Sequence, residues 1–281
     1  MSIHILTDST SDLSPEEQRA LNVTVAPLRV IFEDGIYQDG VDITPAAFYD
    51  KQRAVKVLPK TTQVNPSEFC FLYEKLLADG GEVVGIFLSS KLSGTYQSAV
   101  IAREMAVGGG RVHLVDSMNA TVGLGLLVRE AVRLRDEGKS AQEITEAVEA
   151  LVPRVRFIAF VQTLKYLKMG GRITSSTAVI GTMLNISPVV AIANGEIKSV
   201  GKVKGRQKIL EYTLDFVSKY PIDTRYPVGF AHSCAADTAA AYREKCEKAF
   251  RLSNCYTDEL GAVIGTHAGP GCYGIAYIGL R

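Results

Sequence analysis

The chain has 281 residues, of which 47% are hydrophobic and 22% charged, and its formal net charge is +1. This length exceeds what one ordinary hydrophobic core supports, so we expect two domains that share a cleft. Because Lys and Arg alternate with Asp and Glu along the chain, no broad basic surface is expected and nucleic-acid binding is disfavoured.

The sequence also disfavours a membrane protein and a disulfide-stabilised protein. No apolar run reaches the roughly 20 residues that span a bilayer, and residues near position 1 do not resemble a signal peptide. The five cysteines are an odd number without C-x-x-C spacing, which is typical of a reducing compartment. We therefore expect a cytoplasmic protein. The four scattered histidines indicate no metal site.

Apolar runs of strand length alternate with amphipathic segments in the first half of the chain. The predicted strands are 3–6, 23–32, 83–88 and 112–115. The predicted helices are 15–21, 45–53, 66–78, 98–106, 121–137 and 141–151. Proline in the first turn of three of them is a helix-start signal. This alternation predicts an α/β domain with a mainly parallel sheet and helices on both faces.

Longer strand-like runs characterise the second half. The predicted strands are 157–161, 188–193, 228–232 and 275–280, and the predicted helices are 206–220 and 235–250. The dipeptide Asn194-Gly195 is a strong hairpin signal. We expect a mixed or antiparallel sheet with helices, and we place the domain boundary at Pro153. The prediction is an N-terminal α/β domain over 1–153 and a C-terminal α/β domain over 154–281, with a ligand cleft between them.

Residues 89–99 join an apolar strand to a helix through clustered hydroxyls and a glycine. Free backbone N–H groups at a helix start favour a phosphate or a carboxylate there. The alternative is that Ser93 only caps the helix. Hydroxyl-rich segments at 7–12, 61–66 and 264–271 have similar chemistry. Loops of this kind gather at the carboxyl ends of strands in α/β folds, so we expect these segments to form one site.

These segments occur together, in order, with two basic glycine-containing turns. The motifs are TDST at 7–10, TTQ at 61–63, LSS at 88–90, LSGTYQSA at 92–99, LKMGGRI at 167–173, KVKGR at 202–206 and HAGPG at 267–271. In this combination, over nearly the whole chain, the sequence resembles the DegV family, specifically the bacterial fatty-acid-binding proteins that present a fatty acid to a separate kinase subunit. Val64 departs from the family pattern, which commonly has proline there.

The resemblance implies a carboxylate site and assigns residues to it. Thr61, Thr62, Ser93 and Gly94 become the expected carboxylate ligands, helped by the backbone N–H groups of Gly94 and Thr95. Their neutral hydroxyls can donate to a carboxylate without a buried counter-charge. His267 is expected in a loop of small residues, where it would position the carboxylate, so its removal should reduce phosphorylation more than binding. The chain has no expected catalytic residue of its own.

Further residues receive supporting roles from the same resemblance. Asp8, Ser9 and Thr10 are expected to order an opposing loop, and Arg172 and Arg206 to dock the kinase subunit. That subunit would supply ATP and magnesium, since this chain has no G-x-x-x-x-G-K-[ST] loop and no expected cofactor of its own. Its acyl phosphate product would feed phospholipid synthesis.

Two other functions stay open at this point. One is a lipid carrier or sensor without a catalytic step, and the other is a small hydrolase that uses Ser93 and His267. For the acyl chain, apolar segments 174–190 and 101–107 are the expected lining. The richest apolar cluster is Ile180, Met183, Leu184, Ile186 and Val189. The sequence leaves open the preferred acyl chain, the kinase partner, the oligomeric state, and which of Thr61 and Thr62 faces the ligand.

Overall fold

The computed structural model describes residues 2–173 and 185–280. Its strands are β1 (Ile3–Asp8), β2 (Val23–Ala26), β3 (Arg29–Phe32), β4 (Gly35–Gln38), β5 (Lys60–Thr62), β6 (Glu82–Phe87), β7 (Val112–Asp116), β8 (Val155–Phe160), β9 (Ile186–Ala193), β10 (Glu196–Lys204), β11 (Val228–His232), β12 (Cys255–Glu259) and β13 (Tyr273–Ile278). Its α-helices are α1 (Pro15–Ala20), α2 (Pro45–Ala54), α3 (Pro66–Leu77), α4 (Thr95–Met105), α5 (Thr121–Asp136), α6 (Ala141–Leu151), α7 (Lys165–Met169), α8 (Lys208–Lys219), α9 (Ala236–Phe250) and α10 (Ala262–Ala268).

The first half forms the predicted parallel sheet, with strand order β2-β1-β6-β7. Helices α3 and α4 pack against each other, as do α5 and α6, and both pairs contact the sheet. Helix starts follow the capping signals of the sequence, since Ser14 and Ser140 each form a capping box and Pro66 occupies the first turn of α3. The predicted fold class is confirmed here.

The predicted strand 23–32 is wrong, because the structure divides it into β2 and β3. Pro27 lies at the division and has no N–H to continue a ladder. Strand β2 pairs with β1, whereas β3 pairs with β4 and β5 in a separate antiparallel sheet. Leu28 turns the chain between them, and its N–H donates to Ser9 Oγ at 3.1 Å. This small sheet carries Thr61 on β5.

The second half forms a mixed sheet of order β10-β9-β8-β13-β11-β12. The β11–β12 pair is parallel, and the other neighbours are antiparallel. Asn194 and Gly195 join β9 to β10 and both have positive φ, as a type I′ hairpin requires. Strand β13 follows every other described strand in the chain, yet it lies between β8 and β11.

Helix α10 connects the two halves. Tyr49 on α2 donates from its hydroxyl to the Leu260 carbonyl at 3.0 Å, and the Gly261 N–H donates to Asp12 Oδ1 at 2.9 Å. Asp39 accepts from the Ala262 N–H at 2.8 Å. The division into domains at residue 153 stays a prediction. In the described ranges, we find no helix with the length and apolar character needed to cross a membrane.

Candidate ligand-binding site

A cavity of about 360 Å³ lies between the two halves of the molecule. Its apolar wall is formed by Leu28, Leu88, Leu92, Ala120, Phe157, Ala159, Val161, Leu167, Val190, Ile192, Ile197, Ala231, Leu260, Val263, Ile264, Ala268, Cys272 and Gly274. Polar groups on its lining are Thr10, Thr61, Thr62, Gln63, Ser93, Thr121, Arg172 and His267. Small-molecule sites typically have volumes of roughly 300–1,000 Å³ and an apolar lining with few polar groups. This cavity therefore suits a largely apolar ligand with one polar end.

The mixed sheet is buried on both faces, and one of these faces forms a wall of the cavity. On β8, Phe157 and Ala159 face the cavity, whereas Ile158 and Phe160 belong to the core cluster that includes residues of α8 and α9. Side chains alternate between faces along a strand, so a run of apolar residues serves both purposes. Gly274 on β13 also lines the cavity, and a Cβ there would lie 2.8 Å from the Ala159 Cβ.

The predicted acyl lining at 101–107 is wrong. Ile101, Met105 and Val107 of this segment are exposed, by 38%, 66% and 87%, and lie outside the cavity lining. Helix α4 instead buries the small residues Ser98, Ala99 and Ala102. In the second predicted segment, 174–190, Val190 lines the cavity. Val189 instead packs in the core cluster with Ile158 and Phe160, and Ile186 is also outside the lining. Ile180, Met183 and Leu184 lie outside the described residues.

His267 and Thr61 meet at the polar end of the cavity. Thr61 Oγ1 and His267 Nε2 are within hydrogen-bond distance, at 2.9 Å. Thr62, the next residue on β5, is exposed and lines the mouth. Successive residues of a strand point to opposite sides, so Thr61 rather than Thr62 reaches the imidazole.

The loop expected around His267 is a helix, because His267 lies in the last turn of α10. The glycines near His267 are typical of a loop, but Gly265 allows α10 to pack closely against α2. A Cβ at Gly265 would lie 2.6 Å from the Tyr49 hydroxyl oxygen and 2.7 Å from Phe48 Cε1 on α2. Helix α10 can therefore approach α2 closely and hold His267 on a rigid element.

The His267 imidazole is neutral at physiological pH. Burial lowers its pKa to about 4, with a contribution from the positive charge of Arg172. The side chain has room because Gly170 lies beside it, where a Cβ would be 2.7 Å from His267 Cε1. Among the described residues, its Nδ1 is buried without a hydrogen-bond partner. A neutral imidazole donates a hydrogen bond from one ring nitrogen and accepts one at the other.

Arg172 lines the cavity beside His267. Its side chain donates from Nε to the Leu92 carbonyl at 3.2 Å and from Nη1 to the Gly170 carbonyl at 2.6 Å. These bonds fix the guanidinium next to the turn that carries Ser93. Arg206, which the sequence paired with Arg172, is exposed and lines a different cavity with Cys234 and Gln162.

Ser93 and Gly94 lie in the turn before α4 and both line the cavity. Ser93 Oγ lies 3.0 Å from Thr95 Oγ1 and accepts from the Thr95 N–H at 3.3 Å. Thr95 itself is fully buried and lies outside the lining. The structure therefore brings Ser93 and Gly94 to the cavity, whereas Thr95 orients the Ser93 hydroxyl. Its N–H already has an acceptor, contrary to the free N–H group expected from the sequence.

Asp8 organises the first hydroxyl-rich segment. It is fully buried and accepts from the Thr10 N–H at 2.9 Å and from the Leu88 N–H at 2.7 Å. Burial raises its pKa to about 6. Thr10 lines the cavity, and Ser9 accepts from the Leu28 N–H. Asp8 and Ser9 thus tie adjacent segments together without lining the cavity themselves.

No role was expected for Gln63 or Gly170 from the sequence, although Gln63 lines the cavity and Gly170 packs against the His267 ring. Their signal was present in the motifs TTQ and LKMGGRI, but only the packing shows what each residue touches. Within residues 2–173 and 185–280, no group of three or more His, Cys, Asp or Glu side chains could hold a metal ion.

Comparison with known proteins gives a consistent family. The family model described as "Uncharacterised protein, DegV family" matches residues 2–280. The chain is 37% identical to a DegV domain-containing protein of Caldanaerobacter subterraneus subsp. tengcongensis, and the match covers 98% of each. It is 35% identical to a fatty-acid-binding DegV family protein of Thermus thermophilus, with a TM-score of 0.88 and all of both chains covered. A stearic acid-binding protein of Eubacterium ventriosum shares 26% identity and a TM-score of 0.88, over 99% of this chain and 98% of that one.

Proposed function

This chain belongs to the DegV family, and on that premise we propose that it binds a long-chain fatty acid, with the tail in the cavity and the carboxylate at Thr61, Ser93 and His267. The observation that carries the proposal is the position of the Thr61–His267 pair, at the polar end of an otherwise apolar cavity. The relatives from Thermus thermophilus and Eubacterium ventriosum are fatty-acid-binding proteins.

The cavity wall would supply most of the affinity. Burial of each methylene is worth about 0.8 kcal/mol, so a long acyl chain gains on the order of 10 kcal/mol before the costs of binding. The residues on β8, β9 and β11 that line the cavity carry no charge. The tail is therefore held by packing, and the polar groups fix its direction.

The polar end suits an ionised carboxylate. Ser93 can donate one hydrogen bond from its hydroxyl, and the Thr61–His267 pair can donate one more, because one of the pair's two protons is used in the bond between them. Arg172 adds a positive charge beside them. A carboxylate with these partners stays ionised, so it needs no base to act as a nucleophile.

The same geometry supports presentation of the carboxylate to a separate kinase subunit. Thr62 is exposed at the mouth of the cavity, close to the side chains that would hold the carboxylate. In the proposed step, a carboxylate oxygen attacks the γ-phosphorus of ATP, the bond to ADP breaks, and acyl phosphate forms. The kinase subunit supplies ATP and magnesium in the cytoplasm, and the product feeds phospholipid synthesis. Arg206, exposed and outside the cavity, and Arg172 are the proposed docking residues.

The geometry does not favour a hydrolase. His267 Nε2 is within hydrogen-bond distance of Thr61, whereas Ser93 Oγ bonds with Thr95. Among the described residues, His267 Nδ1 has no acidic partner to orient the imidazole. A carrier or sensor without a catalytic step would use the same cavity, and only the absence of phosphorylation would distinguish it.

The test is lipid extraction and mass spectrometry of the protein purified from a bacterial host. We expect one equivalent of long-chain fatty acid in the wild type and in Ser218→Ala, which changes a serine on α8 outside the cavity lining. Ser93→Ala and His267→Ala should retain less. If the wild type carries no lipid, even after incubation with fatty acids, the binding proposal fails. Acyl phosphate formed with a DegV-partner kinase and ATP, trapped as the hydroxamate, separates the kinase proposal from a carrier.

A further inference from the structure

Gln63 connects the two segments that carry the proposed carboxylate ligands. It follows β5, two residues after Thr61, and its Nε2 donates to Ser98 Oγ at 2.8 Å. Ser98 lies in the first half of α4, whose N-terminal cap follows Ser93 directly. One side-chain amide thus joins the strand that carries Thr61 to the helix that begins after Ser93.

Gly94 lies against this side chain. Its φ of −75° is open to any residue, so the backbone does not require glycine. A Cβ at position 94, however, would approach Gln63 Oε1 most closely and would lie 2.8 Å from Cδ and 3.0 Å from Nε2 of the same amide. A methyl group there would have to displace the amide, which is the exposed end of a flexible side chain, and this displacement would disturb its bond to Ser98.

From these contacts we infer that Gln63 is a positioning residue, which sets the separation of Thr61 and Ser93 through its bond to Ser98 and its contact with Gly94. This inference rests on the proposed function, since the hydroxyls it positions are those proposed to hold the carboxylate. Gln63 acts on the head group and not on the tail, because its contacts lie at the polar end of the cavity.

The competing explanation is that the bond between Gln63 and Ser98 only stabilises the fold. A fatty acid and the fatty alcohol of the same length separate the two explanations, because they share the tail and differ in the carboxylate. Loss of fold stability would weaken both ligands. Loss of positioning would weaken the acid more than the alcohol, because hydrogen bonds to a charged carboxylate are stronger than those to a neutral hydroxyl.

The experiment measures dissociation constants for palmitic acid and hexadecanol with the wild type, Gln63→Ala, Gly94→Ala and the double variant. One neutral hydrogen bond corresponds to about a five-fold change in affinity, so we expect Gln63→Ala to weaken the acid by about five-fold and the alcohol by less. Gly94→Ala should weaken the acid at least as much. In the double variant, Gly94→Ala should add nothing, since the amide it displaces is absent.

The matched control is Gly110→Ala, where a Cβ would meet nothing within 4 Å, and it should leave both constants unchanged. Equal weakening of acid and alcohol by Gln63→Ala would overturn the inference. So would a Gly94→Ala effect of the same size with and without the Gln63 side chain. A wild type that binds neither ligand would instead contradict the proposed function, so the two failures are distinguishable.

Discussion

Thr61 Oγ1 and His267 Nε2 lie 2.9 Å apart, although 206 positions separate the two residues in the chain. Thr61 belongs to the small sheet of the first half, and His267 to the short helix that connects both halves. The proposed carboxylate site is therefore assembled from distant segments, and changes on either side should affect it.

Replacement of His267 by alanine should affect phosphorylation more than binding. The substitution removes one hydrogen bond to the ligand carboxylate, worth about tenfold in affinity for a charged acceptor. Acyl phosphate formation at saturating fatty acid should decrease by a larger factor, because the carboxylate loses its fixed orientation. Isothermal titration and a kinase-coupled assay measure the two quantities. His113→Ala, on β7 of the parallel sheet, is the control, and equal losses in both assays would contradict the prediction.

The His267 imidazole should titrate near pH 4 in the ligand-free protein, well below its ordinary value of 6.5. The folded state then binds fewer protons than the unfolded state between these two values. The contribution of His267 to stability is therefore complete above pH 6.5 and is lost as the pH falls through 4. Histidine NMR titration, with His267→Gln for assignment, checks the pKa. The difference in unfolding free energy between the wild type and His267→Gln should increase from pH 4 to 6.5, and titration near 6.5 would contradict this.

Filling the cavity should shorten the acyl chain that the protein accepts. Ala231 on β11 lines the cavity, and leucine there would occupy space proposed for the tail. Each excluded methylene costs about 0.8 kcal/mol, or roughly four-fold in affinity. Mass spectrometry of bound lipids should show a shift to shorter chains in Ala231→Leu. Ala241→Leu, on an exposed face of α9, should keep the wild-type lipid profile. If Ala231→Leu also keeps the wild-type lipid profile, the prediction is contradicted and the tail lies elsewhere.

Asp223 should contribute to stability without affecting the ligand. It is 2% exposed, and its Oδ2 accepts from Arg225 and Arg154 at 2.6 Å each. The hydrogen bonds from Arg225 above all, and that from Arg154, lower the pKa of Asp223 to about 2. Asp223→Asn removes the charge and should lower the unfolding free energy by about 2 kcal/mol, since Arg154 is mostly buried.

The pH dependence of Asp223 follows from its lowered pKa. Its contribution to stability is present above pH 3.8 and is lost as the pH falls through 2. Urea unfolding at pH 7 therefore measures the full contribution. Asp215→Asn breaks an exposed pair with Lys219 and should cost less than about 1 kcal/mol. Equal effects of the two substitutions would contradict the role of burial.

The sequence predicted the elements better than it predicted their contacts. Hydrophobic periodicity located the parallel strands and most helices, because each signal is contained in one segment. The single strand at 23–32 was wrong because a central proline breaks a ladder whose partners the sequence does not name. The glycines around His267 suggested a loop, whereas Gly265 permits helix α10 to pack against α2.

The walls of the cavity were harder to predict for the same reason. Strands β8 and β9 are apolar on both faces, so nothing in their pattern tells which residue faces the ligand. Segment 101–107 was apolar enough to suggest a lining, yet α4 buries its small residues instead. Thr61 and Ser93 were predicted through motif resemblance, while the contact between Gln63 and Gly94 could be found only from the packed structure.

The position of β13 has a consequence for translation. During synthesis on the ribosome, β8 and β11 emerge before residues 273–278, which must later enter between them. Until then both strands present unpaired edges, which are sites of misassembly and of chaperone binding. The cavity wall is therefore incomplete until this strand has been added, because β13 closes the sheet and its Gly274 lines the cavity.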